Sequence, residues 1–289
     1  MITQLDETQI PQRFNKAAKT YDEVAVLQRQ VGKSLLERLA GIRCKPKTIL
    51  DLGCGTAYFA AFLEKLYPTA KIIGLDKSIG MLAQAQVKEK NRFTGVHWVC
   101  GYAENLPFSD HSFELVYSNL MLHWSNDFSR SLSEIRRILK PGGLLLFSMV
   151  GPDTLQELRH CWRTIDDCPH VHIFVDMHDI GDNLLQTPFV DPVMDVEYFT
   201  LLYSEALDLL KELKKLGVQN LSKDRQRGLT SKGTLKKLLQ AYESFRSQAG
   251  KLPATWEIIY GHAWAAEKKP QEQNSLDEIK IPLTSIIRG

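Results

Sequence analysis

Apolar residues recur at three-and-four spacing through residues 11–42, with Val24, Leu27, Val31, Leu35, Leu36 and Leu39 in step, and this period predicts helix. The period then changes. Short apolar runs at Thr48–Gly53, Lys71–Asp76, Val96–Gly101, Phe113–Asn119 and Leu144–Val150 read as strands. Between them Tyr58–Leu66, Ile79–Val87 and Phe128–Leu139 read as helices. Strands this apolar, alternating with helices, predict a mostly parallel sheet with helices on both faces. After Val150 the rhythm breaks. Asp153–Asp166 predicts a helix capped by Asp153 or Thr154, and residues 167–192 are irregular and rich in His, Asp and Phe. A connection of that length is expected to be a lid or inserted cover. Asp195–Tyr203 and Trp256–Trp264 predict further strands, Glu205–Leu216 and Thr234–Phe245 further helices. The expected organisation is a helical cover (1–42), an α/β core (43–150), an inserted helix and lid (151–194), strands and helices completing the same domain (195–269), and a loose polar tail (270–289).

Composition narrows the class. The formal charge of +2 on 289 residues is too small to make nucleic acid the main partner. No run reaches the roughly 18 apolar residues of a membrane span, so no membrane role is expected. Cys44, Cys54, Cys100, Cys161 and Cys168 form no C-x-x-C pair, and the first ten residues lack an apolar targeting core. A cytoplasmic protein is therefore expected, and the pattern leaves its oligomeric state open.

The candidate chemistry sits at two strand tips. Ile49–Tyr58 read I-L-D-L-G-C-G-T-A-Y, and Gly74–Met81 read G-L-D-K-S-I-G-M. Gly53 and Gly55 let a ligand approach the backbone, and the helix expected to follow offers free N–H groups. A dinucleotide fingerprint needs a third glycine where Tyr58 stands. Asp51 suits an ammonium group, and Asp76 can accept two ribose hydroxyls. An amino-acid end joined to a ribose points to S-adenosyl-L-methionine.

Asp51–Thr56, Asp76, Gly101–Pro107, Ser118–Trp124 and Leu139–Gly143 resemble the motif series of class I S-adenosylmethionine-dependent methyltransferases, across residues 48–150. That resemblance implies a Rossmann-like sheet, with Gly53 and Gly55 along the methionine moiety and Asp76 on the ribose. It also implies Lys77 and Met81 bordering the adenine, Ala103 and Glu104 at its edge, and Asn119 beneath the cofactor. Tyr102 stands where that family has Asp, so Glu104 or a backbone carbonyl is expected to meet the adenine amino group. Phe14–Asp22, Gly151–Arg159, His172–Asp182, Pro192–Glu197 and Pro253–Glu257 resemble the malonyl-acyl-carrier-protein O-methyltransferases of biotin synthesis, and with the core this likeness spans residues 10–266. It implies methyl transfer to the free carboxylate of malonyl on acyl carrier protein, or of malonyl-CoA, with S-adenosyl-L-homocysteine as product. The lid signature is shared with complex I assembly factors associated with arginine hydroxylation. That role and methylation of a quinone or other small molecule are the alternatives.

A malonyl carboxylate is ionised at neutral pH and needs no general base. A planar arginine suits it as partner, and Arg159 is the expected one; the alternative is a surface arginine paired with Glu157 or Asp166. Tyr21 is expected to close over the cofactor and bond the substrate, or else to staple the N-terminal helix to the sheet. His123 is a further candidate, and Trp124 is expected to cap the core beneath the lid. His170, His172, His178, Asp176 and Asp179 cluster in sequence but lack ligand spacing, and no metal is expected. Cys54 reads as a small filler. Lys211–Lys215 and Lys232–Lys237, with Arg225 and Arg227, read either as solvated helix faces or as a surface steering an acidic carrier protein.

Overall fold

The computed structural model describes residues 4–90, 95–225, 228 and 230–267. The expected tail (270–289) and Arg227 lie outside the described residues. Three helices replace the one predicted over 11–42: α1 (Gln9–Ala17), α2 (Tyr21–Val24) and α3 (Val26–Gly41). The chain leaves the helix at Thr20, whose N–H donates to Ala17 O, and again at Ala25, with ψ at 47°. Only α3 carries the apolar stripe, burying Leu27, Val31, Leu35 and Leu39. The short α2 buries nothing and is held instead through Asp22, by polar ties described below.

The core runs β1 (Thr48–Leu52), α4 (Ala60–Leu66), β2 (Lys71–Asp76), α5 (Ile79–Lys90), β3 (His97–Cys100), β4 (Phe113–Asn119), α6 (Phe128–Ile138) and β5 (Leu139–Val150). Then follow α7 (Gln156–Arg163), α8 (Met177–Gln186), β6 (Phe189–Tyr203), α9 (Ala206–Leu216), α10 (Lys232–Tyr242) and β7 (Leu252–Ala265). All seven strands form one sheet in the order β3-β2-β1-β4-β5-β7-β6. The β1–β5 pairings are parallel, and β7 lies antiparallel between β5 and β6. Side chains alternate between two cores. Ile49, Leu115, Leu146 and Ile258 pack with α3, α7, α9 and α10, while Leu50, Val116, Leu145 and Ile259 pack with α6 and α8. The strand order turns back between β1 and β4, and such a reversal opens a crevice at the carboxyl ends of those strands.

The expected irregular lid is partly regular. Asp176 caps α8 by accepting from His178 N, and α8 buries Ile180 and Leu184 against the sheet. β6 starts at Phe189, within the segment read as lid. Pro188 and Pro192 disguise this strand in sequence. The sheet tolerates Pro192 because β6 is an edge strand with a register shift between Val190 and Val193. β5 and β7 likewise begin earlier than predicted, at Leu139 and Leu252.

Phe147 and Gly261 face each other across β5 and β7, and a Cβ at Gly261 would stand 2.3 Å from Phe147 Cζ. Gly261→Ala is expected to destabilise the fold by about 1–3 kcal/mol through overpacking, read as a lower urea midpoint at unchanged slope.

Candidate active site

A cavity of about 590 Å³ opens at the strand tips and is roofed by the N-terminal helices and residues 170–174. Tyr21, Gly53, Gly55, Asp76, Lys77, Met81, Ala103, Glu104 and Asn119 all line it. Two expected residues do not: Asp51 lies behind the glycine loop, and Arg159 lies on α7.

The loop after β1 is tied to β2. Gly53 N and Cys54 N both donate to Leu75 O, at 2.7 and 3.0 Å, and Gly55 N donates to Asp76 Oδ2 at 2.9 Å. Gly53 (φ +77°) and Gly55 (φ +53°) need the left-handed region, and nothing lies within 4 Å of where a Cβ on Gly55 would point. The next helix starts at Ala60 rather than Tyr58 and has seven residues, so the cavity faces the loop and not a helix terminus. Cys54 is buried, and burial with Asp51 and Asp76 pushes its thiol up, as suits a filler rather than a nucleophile.

The two carboxylates differ. Asp76 accepts from Gly55 N and, at 2.7 Å, from Ser78 N; burial still holds its pKa above the ordinary value. Asp51 is 3% exposed, and its Oδ2 has no partner among the described residues. Burial, and then the charge of Asp76, push Asp51 up to about 7. Gln28 Oε1, on the cavity wall, is a second buried acceptor without a donor. Buried acceptors without donors, one on β1 behind the glycine loop and one on α3, fit an ammonium donor, as on the methionine end of S-adenosylmethionine. Sequence reading missed Gln28, although a polar residue beside Leu27 on the buried stripe of α3 was a visible signal. Asn119 spends both ends inside the protein, donating from Nδ2 to Gln28 O and accepting from Ser148 Oγ. Next to Asp76, burial brings Lys77 down to about 8, and its ammonium reaches Trp124 O at 3.3 Å. Glu104 lines the cavity and accepts from Ser125 Oγ, while Tyr102 is 52% exposed and outside the lining.

The roof is latched. Asp22 accepts from Thr56 Oγ1 at 2.6 Å and pairs with Lys88 at 2.5 Å, and Lys88 also donates to Thr56 O. Asn15 Oδ1 accepts from Ser78 Oγ and Gly80 N, both at 2.7 Å. These bonds join α1 and α2 to the two ligand loops and keep Tyr21 within the electrostatic reach of Asp76. Burial, then Asp76 and Asp22, push the Tyr21 phenol up, so it remains a proton donor at neutral pH.

The far wall comes from α7, where Leu155, Leu158 and Trp162 face the cavity. Leu155 is left-handed (φ +56°) and its N–H donates to Thr255 O at 2.6 Å. Arg159 braces this turn, donating from Nη1 to Pro152 O and from Nη2 to Thr154 O. Its partners are thus carbonyls, neither substrate-facing nor the carboxylates of Glu157 and Asp166. Its Nε is buried without a partner. Trp256, His172 and His123 also belong to the cavity lining. Trp256 Nε1 is buried and unpartnered. His172 Nε2 lies 3.1 Å from Leu221 N and 3.3 Å from Gln219 O, and its Nδ1 is buried without a partner. Burial lowers His172 to about 4 and His123 to about 3, so both rings are uncharged at neutral pH. Trp124 packs edge-on against Phe14 and His172 beneath the lid. Among the described residues no group of His, Cys, Asp and Glu is placed to hold a metal, and no helix is long and apolar enough to cross a membrane.

The family described as a methyltransferase domain matches residues 50–147. A protein of Methylovorus sp. named malonyl-[acyl-carrier protein] O-methyltransferase is 44% identical, the match covering 96% of this chain and 94% of that one. A Coxiella burnetii protein named malonyl-[acyl-carrier protein] O-methyltransferase 1 is 43% identical, covering 99% and 97%. Among solved structures, the YcgJ protein of Bacillus subtilis superposes with a TM-score of 0.59 at 18% identity, over 82% of this chain and all of that one. A putative methyltransferase of Bacillus halodurans does so with 0.59 at 17% identity, over 81% and 98%. These two likenesses bear on the fold, which is that of Rossmann-like class I methyltransferases.

The elevated Asp51 has a stability consequence. An acid whose folded pKa lies above its unfolded value of about 3.9 makes stability fall as pH rises between the two, here from 4 to about 7. Asp51→Asn is expected to stabilise the ligand-free protein above pH 7, by on the order of 2–4 kcal/mol, and to have little such effect near pH 4. Urea unfolding of both proteins across that range measures the difference.

Proposed function

The chain belongs to the family of malonyl-[acyl-carrier protein] O-methyltransferases, and on that premise we propose that it methylates the free carboxylate of malonyl held on acyl carrier protein, with S-adenosyl-L-methionine as donor, to start a pimeloyl chain for biotin. The observation that carries this reading is the continuity of the cavity. One end is the glycine loop with its carboxylates, and the other opens between α9 and α10, where the lining residues Leu207, Lys211, Lys214 and Thr230 are exposed. A tethered thioester entering there brings its far carboxylate to the cofactor end.

S-adenosylmethionine, when bound, supplies an electrophilic methyl group on its sulfonium. Gly53 and Gly55 would leave room for its methionine end, Gln28 would offer an acceptor to its ammonium with the Asp51 carboxylate acting from behind the loop, and Asp76 would accept from its ribose. Lys77, Met81, Ala103 and Glu104 would border the adenine, with Glu104 in the place that Tyr102 does not fill. The malonyl carboxylate, with an intrinsic pKa of about 3–4, is already the nucleophile. Its oxygen forms the new bond to carbon as the sulfur–methyl bond breaks, and neutral S-adenosylhomocysteine departs. No proton moves. The protein's task is positioning and exclusion of water, worth at most about 7–11 kcal/mol. Apolar walls from Leu155, Leu158, Trp162, Val171 and Phe174 serve the second purpose.

Tyr21, His172 and Trp256 offer neutral donors to the carboxylate. Arg159 joins them if its fork exchanges two carbonyl acceptors for a carboxylate, and charge-assisted bidentate bonds are roughly twice as strong as the neutral-acceptor kind. The hydroxylase-like and quinone alternatives are not favoured by the relatives above.

The decisive assay is release of S-adenosylhomocysteine with malonyl-acyl carrier protein, malonyl-CoA and a quinone in parallel. Turnover of a malonyl thioester is expected, and its absence with both would overturn the reading. Within that assay Arg159→Ala is expected to lower kcat/KM about 10–100-fold and Tyr21→Phe about tenfold, each at unchanged affinity for S-adenosylmethionine. An unchanged kcat/KM for Arg159→Ala would leave that residue as a brace for Leu155 alone.

A further inference from the structure

The cavity mouth is ringed by positive charge. Lys211 and Lys214 line it, Lys215 continues the same helix, and Lys232 and Lys236 flank Leu235, a lining residue of α10. All five are exposed. Only Lys211 forms an ion pair among the described residues, with Asp208 at 3.3 Å. The whole chain carries a formal charge of only +2, so this concentration is local rather than a reflection of a basic protein. Leu207, 36% exposed, sits among these lysines on the same rim. A basic collar with one apolar contact, placed around the entry of a deep apolar channel, is complementary to an acidic surface that presents a flexible arm.

We propose that the α9–α10 collar is the docking surface for acyl carrier protein, whose acidic face meets Lys211, Lys214, Lys215, Lys232 and Lys236 while its acyl arm enters between the two helices. This inference rests on the function proposed above. The lysines act on encounter and orientation and touch no reacting atom. Their effect belongs in kcat/KM for the protein-borne substrate, falls with ionic strength, and leaves a substrate without the carrier indifferent.

The test compares malonyl-acyl carrier protein with malonyl-pantetheine, which has the same arm without the protein and without the phosphates of CoA. In the triple variant K215E/K232E/K236E, chosen outside the cavity lining, the ratio of kcat/KM for the two substrates is expected to fall about tenfold or more at low salt. In the unaltered enzyme, raising salt from 20 to about 500 mM is expected to lower kcat/KM for the carrier substrate and to leave malonyl-pantetheine nearly constant, which tests the collar without any folding question. An unchanged ratio in a folded variant, or equal salt response for both substrates, would overturn the docking assignment. Failure of the function itself looks different: the unaltered enzyme would turn over neither thioester.

Discussion

Two acids stand at the tips of neighbouring parallel strands, and the site is organised around their unequal solvation. Asp51 pairs in register with Gly74, which places Asp76 just beyond it on β2. Buried like charges raise one another, and a buried carboxylate oxygen without a donor costs on the order of 1–3 kcal/mol or more. The protein relieves one acid and not the other. Amides of Gly55 and Ser78 serve both oxygens of Asp76, whereas Asp51 keeps Oδ2 unserved. A site in this condition is destabilised until a cationic donor arrives. The left-handed glycines, the bonds of the loop to Leu75, and the orphaned oxygen of Gln28 all follow the same requirement.

Such a polar pocket needs a cover, and its cover is polar too. α2 is too short to hold itself by buried side chains. It is fixed through Asp22 to Thr56 and Lys88, on the loop and helix that also carry the ligand groups. Asn15 does the same for α1, at Ser78 and Gly80. The roof therefore reads the state of both ligand loops directly. The lid uses different physics, with Trp124, His172, Phe14 and Phe174 meeting edge to face.

The parallel core was legible because its strands are short, mostly apolar runs, and β1, β2, β3 and β5 end at or beside a glycine or carboxylate. Eight of the named site residues meet in one cavity for the same reason: their motif positions lie at or just after strand tips, which the strand order gathers on one edge, while Tyr21 reaches it from α2 in the roof. The misses have local causes. The break at Thr20 and Ala25 answers to Asp22's distant partners, which no window of residues 11–42 contains. The start of β6, residues 189–194, hid behind Pro188 and Pro192, whereas Asp195–Tyr203 was read as strand. Arg159 read in sequence as a substrate partner or as a surface arginine paired with Glu157 or Asp166. Its carbonyl partners exist only because Leu155 turns left-handed against Thr255 of β7, about a hundred residues onward.

That last arrangement bears on how a carboxylate is made to react. A cation bound tightly to the nucleophilic oxygen would lower the energy of the reactant more than that of the transition state, in which the oxygen gives up its charge. The cavity instead presents an indole N–H, a neutral imidazole N–H and a phenol, with His172 and His123 kept uncharged by burial. Arg159 stands one helical turn behind Leu155, its charge spread over two backbone carbonyls. On the proposed function, neutral donors would hold the anion in line without quenching it, and a guanidinium already shared with carbonyls would add orientation without a full ion pair. The positive charge that is not softened in this way, the lysine collar, lies at the mouth, away from the loop where the methyl group is transferred. Long-range attraction and short-range reactivity are thus assigned to opposite ends of one channel.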